Sequence, residues 1–426
     1  MRNLLPKSAY ARNVLTLMTG TSLAQAIPIA ISPILTRIYS PEDFGLFSFY
    51  IALVSVAVVL VTGRYELAIL LPRRERDALH ITALVLILSG IVSIFLAIII
   101  FVFNKKIAFL LGNPDIGPWL YWVPVSTWLM GTYQGLNYWS NRRSQYKRLA
   151  ISRTAQSGGG SLIQLGLGFF KKGASGLVVG QIFGQLLSSS MLARMIWKDD
   201  KELVREIRLK QIFLLSCKYS RFPKYMILGQ LFNSASGYMP IFLLGVFFGP
   251  AVVGLYSLSQ RVILAPMVLI GEAIGDVYRS EAATIYRKNG NCLNLFKVTF
   301  FKLVILSFFV TVPIFLWGEY IYAFLFGEQW REAGKIASLL SLMIFFQGTS
   351  SPMSQTILLE NLQKMDLAWQ ILRLTLAIGS IYFGYKFSLG YELTILVFSI
   401  SFSILYIVHS VFQYFVAKGV WNEKKN

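Results

Sequence analysis

The 426 residues are 55% hydrophobic and only 14% charged, where soluble chains carry about 25% charged residues, so a soluble globular domain is excluded. Forty Lys and Arg against 20 Asp and Glu leave a net charge of +20, but the basic residues lie scattered between apolar runs, with no compact basic domain, which argues against a nucleic-acid partner. The apolar runs recur at about 18 residues or more, the length of a bilayer-crossing helix, and the short alternating segments of a barrel are absent.

The fold class read from this pattern is an all-α membrane protein. Twelve transmembrane spans are expected at 14–36, 44–66, 79–103, 118–139, 152–170, 175–197, 224–248, 251–276, 297–317, 334–356, 367–386 and 392–416. The start MRNLLPKSAYAR, followed by an apolar run containing Ala24-Gln25-Ala26, has the look of a cleavable leader. A retained span is expected instead, because the apolar segment continues to Ile38. Lys and Arg gather on alternate loops by more than three to one, which places both termini in the cytoplasm.

Span 1 carries a mild polar stripe, Thr21, Gln25, Ser32 and Thr36, two prolines, Pro28 and Pro33, that predict kinks, and Arg37 at its outer end. Span 2 ends in GRYELAILLP, so Arg64 and Glu66 fall where the span meets the cytoplasmic interface. They read as an interfacial pair reaching water or as lumen-facing groups. The cluster WLYWVPVSTW at 119–128 reads as an interfacial aromatic belt. The stretch WKDDKELVREIRLK at 197–210 is charged and divides the chain into a bundle at 1–197, a cytoplasmic linker at 198–218 and a second bundle at 219–426.

Span 7 carries Gln230, Ser234 and Pro240; span 8 reads VGLYSLSQRVILAPMVLIGEAIGDVYR. On a helical wheel Ser257, Arg261, Glu272 and Asp276 form one polar stripe on this apolar helix. A charge inside a span is costly and marks a cavity or a partner. Thr21, Gln25, Gln230 and Ser234 read as cavity groups or as hydrogen bonds between helices. Lys302 and Arg373 read as cytoplasmic snorkellers. Cys217 and Cys292 are expected as reduced cytoplasmic thiols, and His80 and His409 stand isolated. With no metal-ligand cluster, nucleophile–base pair or phosphate loop, neither an enzyme nor a cofactor is expected.

SPEDFGLFS at 40–48 returns as GPAVVGLYS at 249–257, and at the same offset of 209 Tyr10 falls on Tyr219, Arg12 on Arg221, Gly20 on Gly229 and Leu35 on Leu244. A fixed-offset match of this kind is a repeat signal. It predicts two six-helix bundles of the same orientation, a parallel repeat with a central cavity between the halves. Pro41 and Pro250 are expected to open a helix, where a missing N–H costs nothing.

LTRIYSPEDFGLFSF, GRYELAILLP and VGLYSLSQRVILAPMVLIGEAIGDVYRSEAA resemble the Wzx-type polysaccharide (O-antigen) flippases of the multidrug/oligosaccharidyl-lipid/polysaccharide exporter superfamily. The resemblance implies a flippase that moves undecaprenyl-diphosphate-linked oligosaccharide units from the cytoplasmic to the periplasmic leaflet of the bacterial inner membrane by alternating access. It implies a cationic cavity, with Arg37, Arg64 and Arg261 as the arginines that would meet diphosphate and Gln25, Gln230 and Ser257 as further substrate contacts. Glu66, Glu272 and Asp276 are the candidates for gating or ion coupling. Implied partners are the lipid-linked glycan and membrane lipids, with a polysaccharide polymerase and a chain-length regulator as candidates. The alternatives are a small-molecule or multidrug exporter of the same superfamily, which prefers acidic cavity groups, and a membrane polysaccharide polymerase, which needs a large outer loop.

Overall fold

A computed structural model describes residues 9–170, 173–360 and 363–420, without side chains at 9–18, 269, 272, 273, 358, 360, 363 and 364. It is helical throughout, with no strand among the described residues. The long helices are α1 (Ala9–Ile38), α2 (Pro41–Val61), α3 (Glu75–Leu110), α4 (Val123–Arg142), α5 (Tyr146–Phe169) and α6 (Ala174–Asp199), then the short α7 (Leu209–Lys218), then α8 (Arg221–Phe248), α9 (Pro250–Asn289), α10 (Leu293–Phe326), α11 (Arg331–Ser350), α12 (Gln363–Lys386) and α13 (Gly390–Lys418). Each expected span overlaps one long helix, with the second, fourth and tenth differing at an end: the fourth, expected from 118, starts its long helix at Val123 after a short separate helix, Gly117–Leu120. Nine stretches among the described residues are long and apolar enough, by length and composition, to cross a membrane. Helices α4 and α5 fall short. In α4 and α5 the cause is amide- and glycine-rich sequence, TYQGLNYWSN and SRTAQSGGGS.

The chain divides into two compact units, residues 1–234 and 235–426, and the division falls inside α8. In the first unit Ser40 caps α2 with a reciprocal capping box: its hydroxyl accepts from Asp43 N–H at 3.3 Å, and Asp43 Oδ2 accepts from Ser40 N–H at 3.1 Å. Two orphan donors of the helix start are thereby satisfied. Pro41 follows at the first helical position, and Pro250 does the same for α9; both repeated strings open helices, as expected.

The core of the first unit gathers Trp139, Leu79, Ile81, Leu149, Leu192 and Ile196. At its edge Trp139 Nε1 donates to Asp200 Oδ2 at 3.0 Å, and Arg148 bridges Asp199 at 2.6 Å and Asp200 at 3.3 Å. The stretch expected as a linker, 198–218, is part of this assembly. Ile212 and Leu215 of α7 are buried in the core cluster. His80 is used twice, with Nδ1 on Arg76 O at 2.6 Å and Nε2 accepting Arg208 N–H at 3.1 Å.

In the second unit Ser259 Oγ on α9 donates to Ala333 O on α11 at 2.6 Å, and Tyr322 OH on α10 donates to Ser259 O at 3.1 Å. Helix α10 leaves helical geometry at Trp317 (φ −127°, ψ 18°), one turn beyond the stretch from Phe309 to Pro313 where Pro313 removes a ladder bond. The tenth span, expected as one helix over 334–356, changes character at its end. Helix α11 stops at Ser350 and a 3-10 helix, Ser351–Glu360, follows. Pro352 falls at the break and lacks the N–H that would bond back to Gly348 O, while Ser351 itself keeps α geometry (φ −61°, ψ −40°).

Candidate functional site

The second span, expected to run helical to residue 66, ends at Val61. Two left-handed residues follow, Gly63 (φ 57°) and Arg64 (φ 60°). Glycine takes this conformation freely, whereas for arginine the left-handed region costs about 1–2 kcal/mol. The reversal leads into a 3-10 helix, Tyr65–Leu70. Arg142 fastens the far end of this segment, donating to Ile69 O at 3.1 Å and Pro72 O at 2.6 Å, and Tyr65 OH donates to Ser216 O at 3.0 Å. The local strain thus has tertiary contacts to hold it.

The turn carries Arg64 and Glu66 to a cavity of about 330 Å³ in the first unit. Helix α4 contributes Tyr133, Gln134, Asn137 and Tyr138, α5 contributes Gln156, and α6 contributes Gln185. Helices α5 and α6 approach closely here, since a methyl on Gly184 would lie 2.5 Å from Gln156 O. Glu66 is 1% exposed and its Oε1 lies 3.0 Å from Arg64 Nη1. That pair meets by distance alone, because neither carboxylate oxygen accepts a well-directed hydrogen bond. Arg64 Nε and both amide atoms of Gln185, itself 1% exposed, are likewise buried without a hydrogen-bond partner. An unsatisfied buried polar atom costs about 1–3 kcal/mol, so several around one cavity call for an explanation.

The other sequence-derived candidates do not gather at this cavity. Arg37 is exposed in the last turn of α1, and Gln25 is half-buried in the same helix. Thr21 accepts a hydrogen bond from Arg153 Nη1 on α5 at 2.7 Å, which is glue between helices. Gln230 is half-buried on α8. On α9 the hydroxyl of Ser257 is buried without a partner, and among the described residues no carboxylate pairs with Arg261. Asp276 is 76% exposed and sits 3.6 Å from Arg279. Both border a second cavity of about 370 Å³, within the second unit, together with Gln347, Ser351 and Gln355. The side chain of Glu272 lies outside the described residues.

Three features escaped the sequence reading. The cavity amides Gln134, Asn137 and Gln156 were signalled only by the low hydropathy of α4 and α5, and Gln185 on α6 by nothing in the sequence. Arg373, read as a snorkeller near a span end, sits mid-helix in α12, where Nη1 donates to Gln370 Oε1 at 3.1 Å and Nε is buried. His409 is not isolated either. Its Nδ1 is 2.8 Å from Ser350 Oγ, and its ring stacks on Trp369 at 4.1 Å.

Comparison with known proteins adds family and fold. Residues 34–335 match the family model described as "Polysaccharide biosynthesis protein". The succinoglycan biosynthesis transport protein ExoT of Rhizobium meliloti (strain 1021) is 23% identical over 318 residues, 73% of this chain; the match spans 61% of that relative's length. Among solved structures, the inward-facing conformation of a multidrug resistance MATE family transporter of the MOP superfamily superposes with a TM-score of 0.74 at 14% identity, covering 95% of this chain and 96% of that one. A MOP superfamily transporter from Pyrococcus furiosus, whose description reports a binding pocket of reverse polarity, gives 0.61 at 14% identity over 94% of each.

Proposed function

The chain belongs to the polysaccharide biosynthesis protein family, and from that membership we propose that it is a flippase for undecaprenyl-diphosphate-linked oligosaccharide units. It is a multi-pass helical membrane protein with the fold of MOP superfamily transporters. The carrying observation is the family match over most of the chain; the transporter fold supports it. In this reading the glycan moves from the cytoplasmic to the periplasmic leaflet of the bacterial inner membrane, and the surface product is O-antigen. Both chain termini are cytoplasmic. Arg261, with no carboxylate beside it among the described residues, is the cation assigned to the diphosphate, since a guanidinium matches phosphate oxygens in a bidentate fork.

A deletion strain of the source organism provides the test. The lipid-linked unit is probed from outside with an impermeant glycan-modifying enzyme, and surface polysaccharide is measured in parallel. Single units trapped on the inner leaflet, with surface polymer restored by the wild-type gene but not by Arg261→Ala, are expected. Accumulation of single units on the outer leaflet would mean that export is intact and that the protein acts later.

A further inference from the structure

We propose that the cavity lined by Arg64, Glu66 and Gln185 in the first unit is a binding site for a neutral sugar ring of the transported glycan, and not for its diphosphate. The inference rests on the flippase reading and assigns a part of the substrate to a part of the protein.

Charge comes first. An anion entering the cavity would meet Glu66, which is almost wholly buried, and an arginine whose charge that carboxylate already offsets at 3.0 Å. A cation would meet the same compensated pair. Groups of three or more His, Cys, Asp or Glu able to hold a metal ion are absent among the described residues. The site therefore favours an uncharged guest.

Hydrogen-bonding capacity comes second. An apolar guest would leave Arg64 Nε, both Glu66 oxygens and both Gln185 amide atoms without partners in a dry site, and buried polar groups in that condition are costly. A polyol suits this mixed set, because each hydroxyl both donates and accepts. The Glu66 oxygens can only accept, Arg64 Nε can only donate, and the Gln185 amide does one at each end. Asn137 and Gln156 extend the same pattern along the walls, and the rings of Tyr133 and Tyr138 supply the apolar surface that a pyranose C–H face needs. The third consideration is size. About 330 Å³ lies at the lower end of small-ligand cavities, roughly 300–1,000 Å³, which suits one or two rings and not a whole repeat unit with its lipid.

The test uses the full-length protein in lipid nanodiscs and saturation-transfer difference NMR. The probes are methyl α-D-glucopyranoside, methyl α-D-galactopyranoside and D-glucuronate, with inorganic pyrophosphate followed by phosphorus line width. Wild type should transfer saturation to a neutral glycoside and not to glucuronate. Gln185→Leu should cut that transfer at least five-fold and leave the pyrophosphate response unchanged. Glu66→Gln, which conserves shape, serves as the second variant should Gln185→Leu fail to insert. Thermal melting and elution volume report folding in each case.

Absence of any neutral-glycoside signal above empty nanodiscs overturns the proposal. So does a signal that survives both substitutions, which would leave a water-filled pocket only. So does a melting shift on replacing choline chloride with sodium chloride that requires Glu66 while the sugars give nothing, which would make this an ion site. The deletion-strain assay separates failures: trapped units restored fully by Gln185→Leu would sink the sugar site and leave the flippase standing. Outer-leaflet accumulation in the deletion would sink the flippase whatever the NMR shows.

Discussion

At the scale of single residues, Arg64 and Glu66 form a pair whose two members are unequally placed, 21% and 1% exposed. Removing one partner of a buried pair leaves an uncompensated charge and costs about 3–5 kcal/mol. Because Arg64 retains some contact with its surroundings, Arg64→Ala is expected at the low end, about 3 kcal/mol. Glu66→Gln should cost less, since the amide keeps the shape. The double variant Arg64→Leu/Glu66→Leu should recover much of the loss in thermal melting, because apolar replacement of both charges is close to neutral. A double variant as unstable as Arg64→Ala would show that the cost does not lie in an unpaired Glu66 charge.

The two cysteines differ in a way that can be read chemically. Cys217 is exposed and Cys292 buried. Burial raises the Cys292 thiol above its ordinary pKa, and the thiolate is the reactive form. Maleimide at neutral pH should therefore modify Cys217 at least ten times faster, measured with the single-cysteine variants Cys292→Ser and Cys217→Ser. Equal rates would contradict the placement of Cys292 beneath Tyr278 and α13. Much of the residue scale was not legible in sequence. Arg64, Gln156 and Gln185 meet only through packing of segments far apart in the chain, and nothing local to Gln185 distinguishes it from an ordinary interhelical amide.

At the scale of elements, helix positions followed from hydropathy while helix ends followed from local chemistry. The strings at Pro41 and Pro250 gave their ends away because proline has few places to sit. The end of α2 did not, since ELAILL continues the apolar run and hydropathy alone carries it on. Gly63 and Arg64 turn left-handed there, and tertiary anchors at Arg142 and Tyr65 hold the turn. The α5–α6 contact permits a prediction. A side chain at Gly184 would collide with Gln156 O and press on Gly160 Cα at 3.3 Å. Gly184→Leu should force these helices apart at a cost of about 1–3 kcal/mol, seen as a lowered melting temperature. It should also weaken glycoside binding, because Gln156 and Gln185 flank the contact. Unchanged melting would mean that the helices separate freely.

At the scale of the whole molecule, the all-helical membrane class was legible from composition, and the half-chain repeat pointed to paired helix starts. Orientation is the part that remains a proposal, and it rests on the distribution of Lys and Arg. Alkaline phosphatase, active only outside the cytoplasm, should be inactive when fused after Arg74 or Lys418 and active after Gly112 or Gly327. Activity at Arg74 and silence at Gly112 would invert the membrane and with it the direction of transport.

The low hydropathy of α4 and α5 bears on how the protein is made. A translocon partitions nascent segments by their individual affinity for lipid, where central polar residues are penalised. The amides that furnish the cavity are thus the groups that hinder these two segments from entering the bilayer unaided. Their entry must then await neighbours: α3, with a mean hydropathy of 3.1 in its most apolar stretch, before them and α6 after them. Trading Gln134 and Asn137 for leucine would ease biogenesis and strip the cavity of its partners. If the proposed sugar site holds, selection on this chain works against its own assembly at the residues that line it.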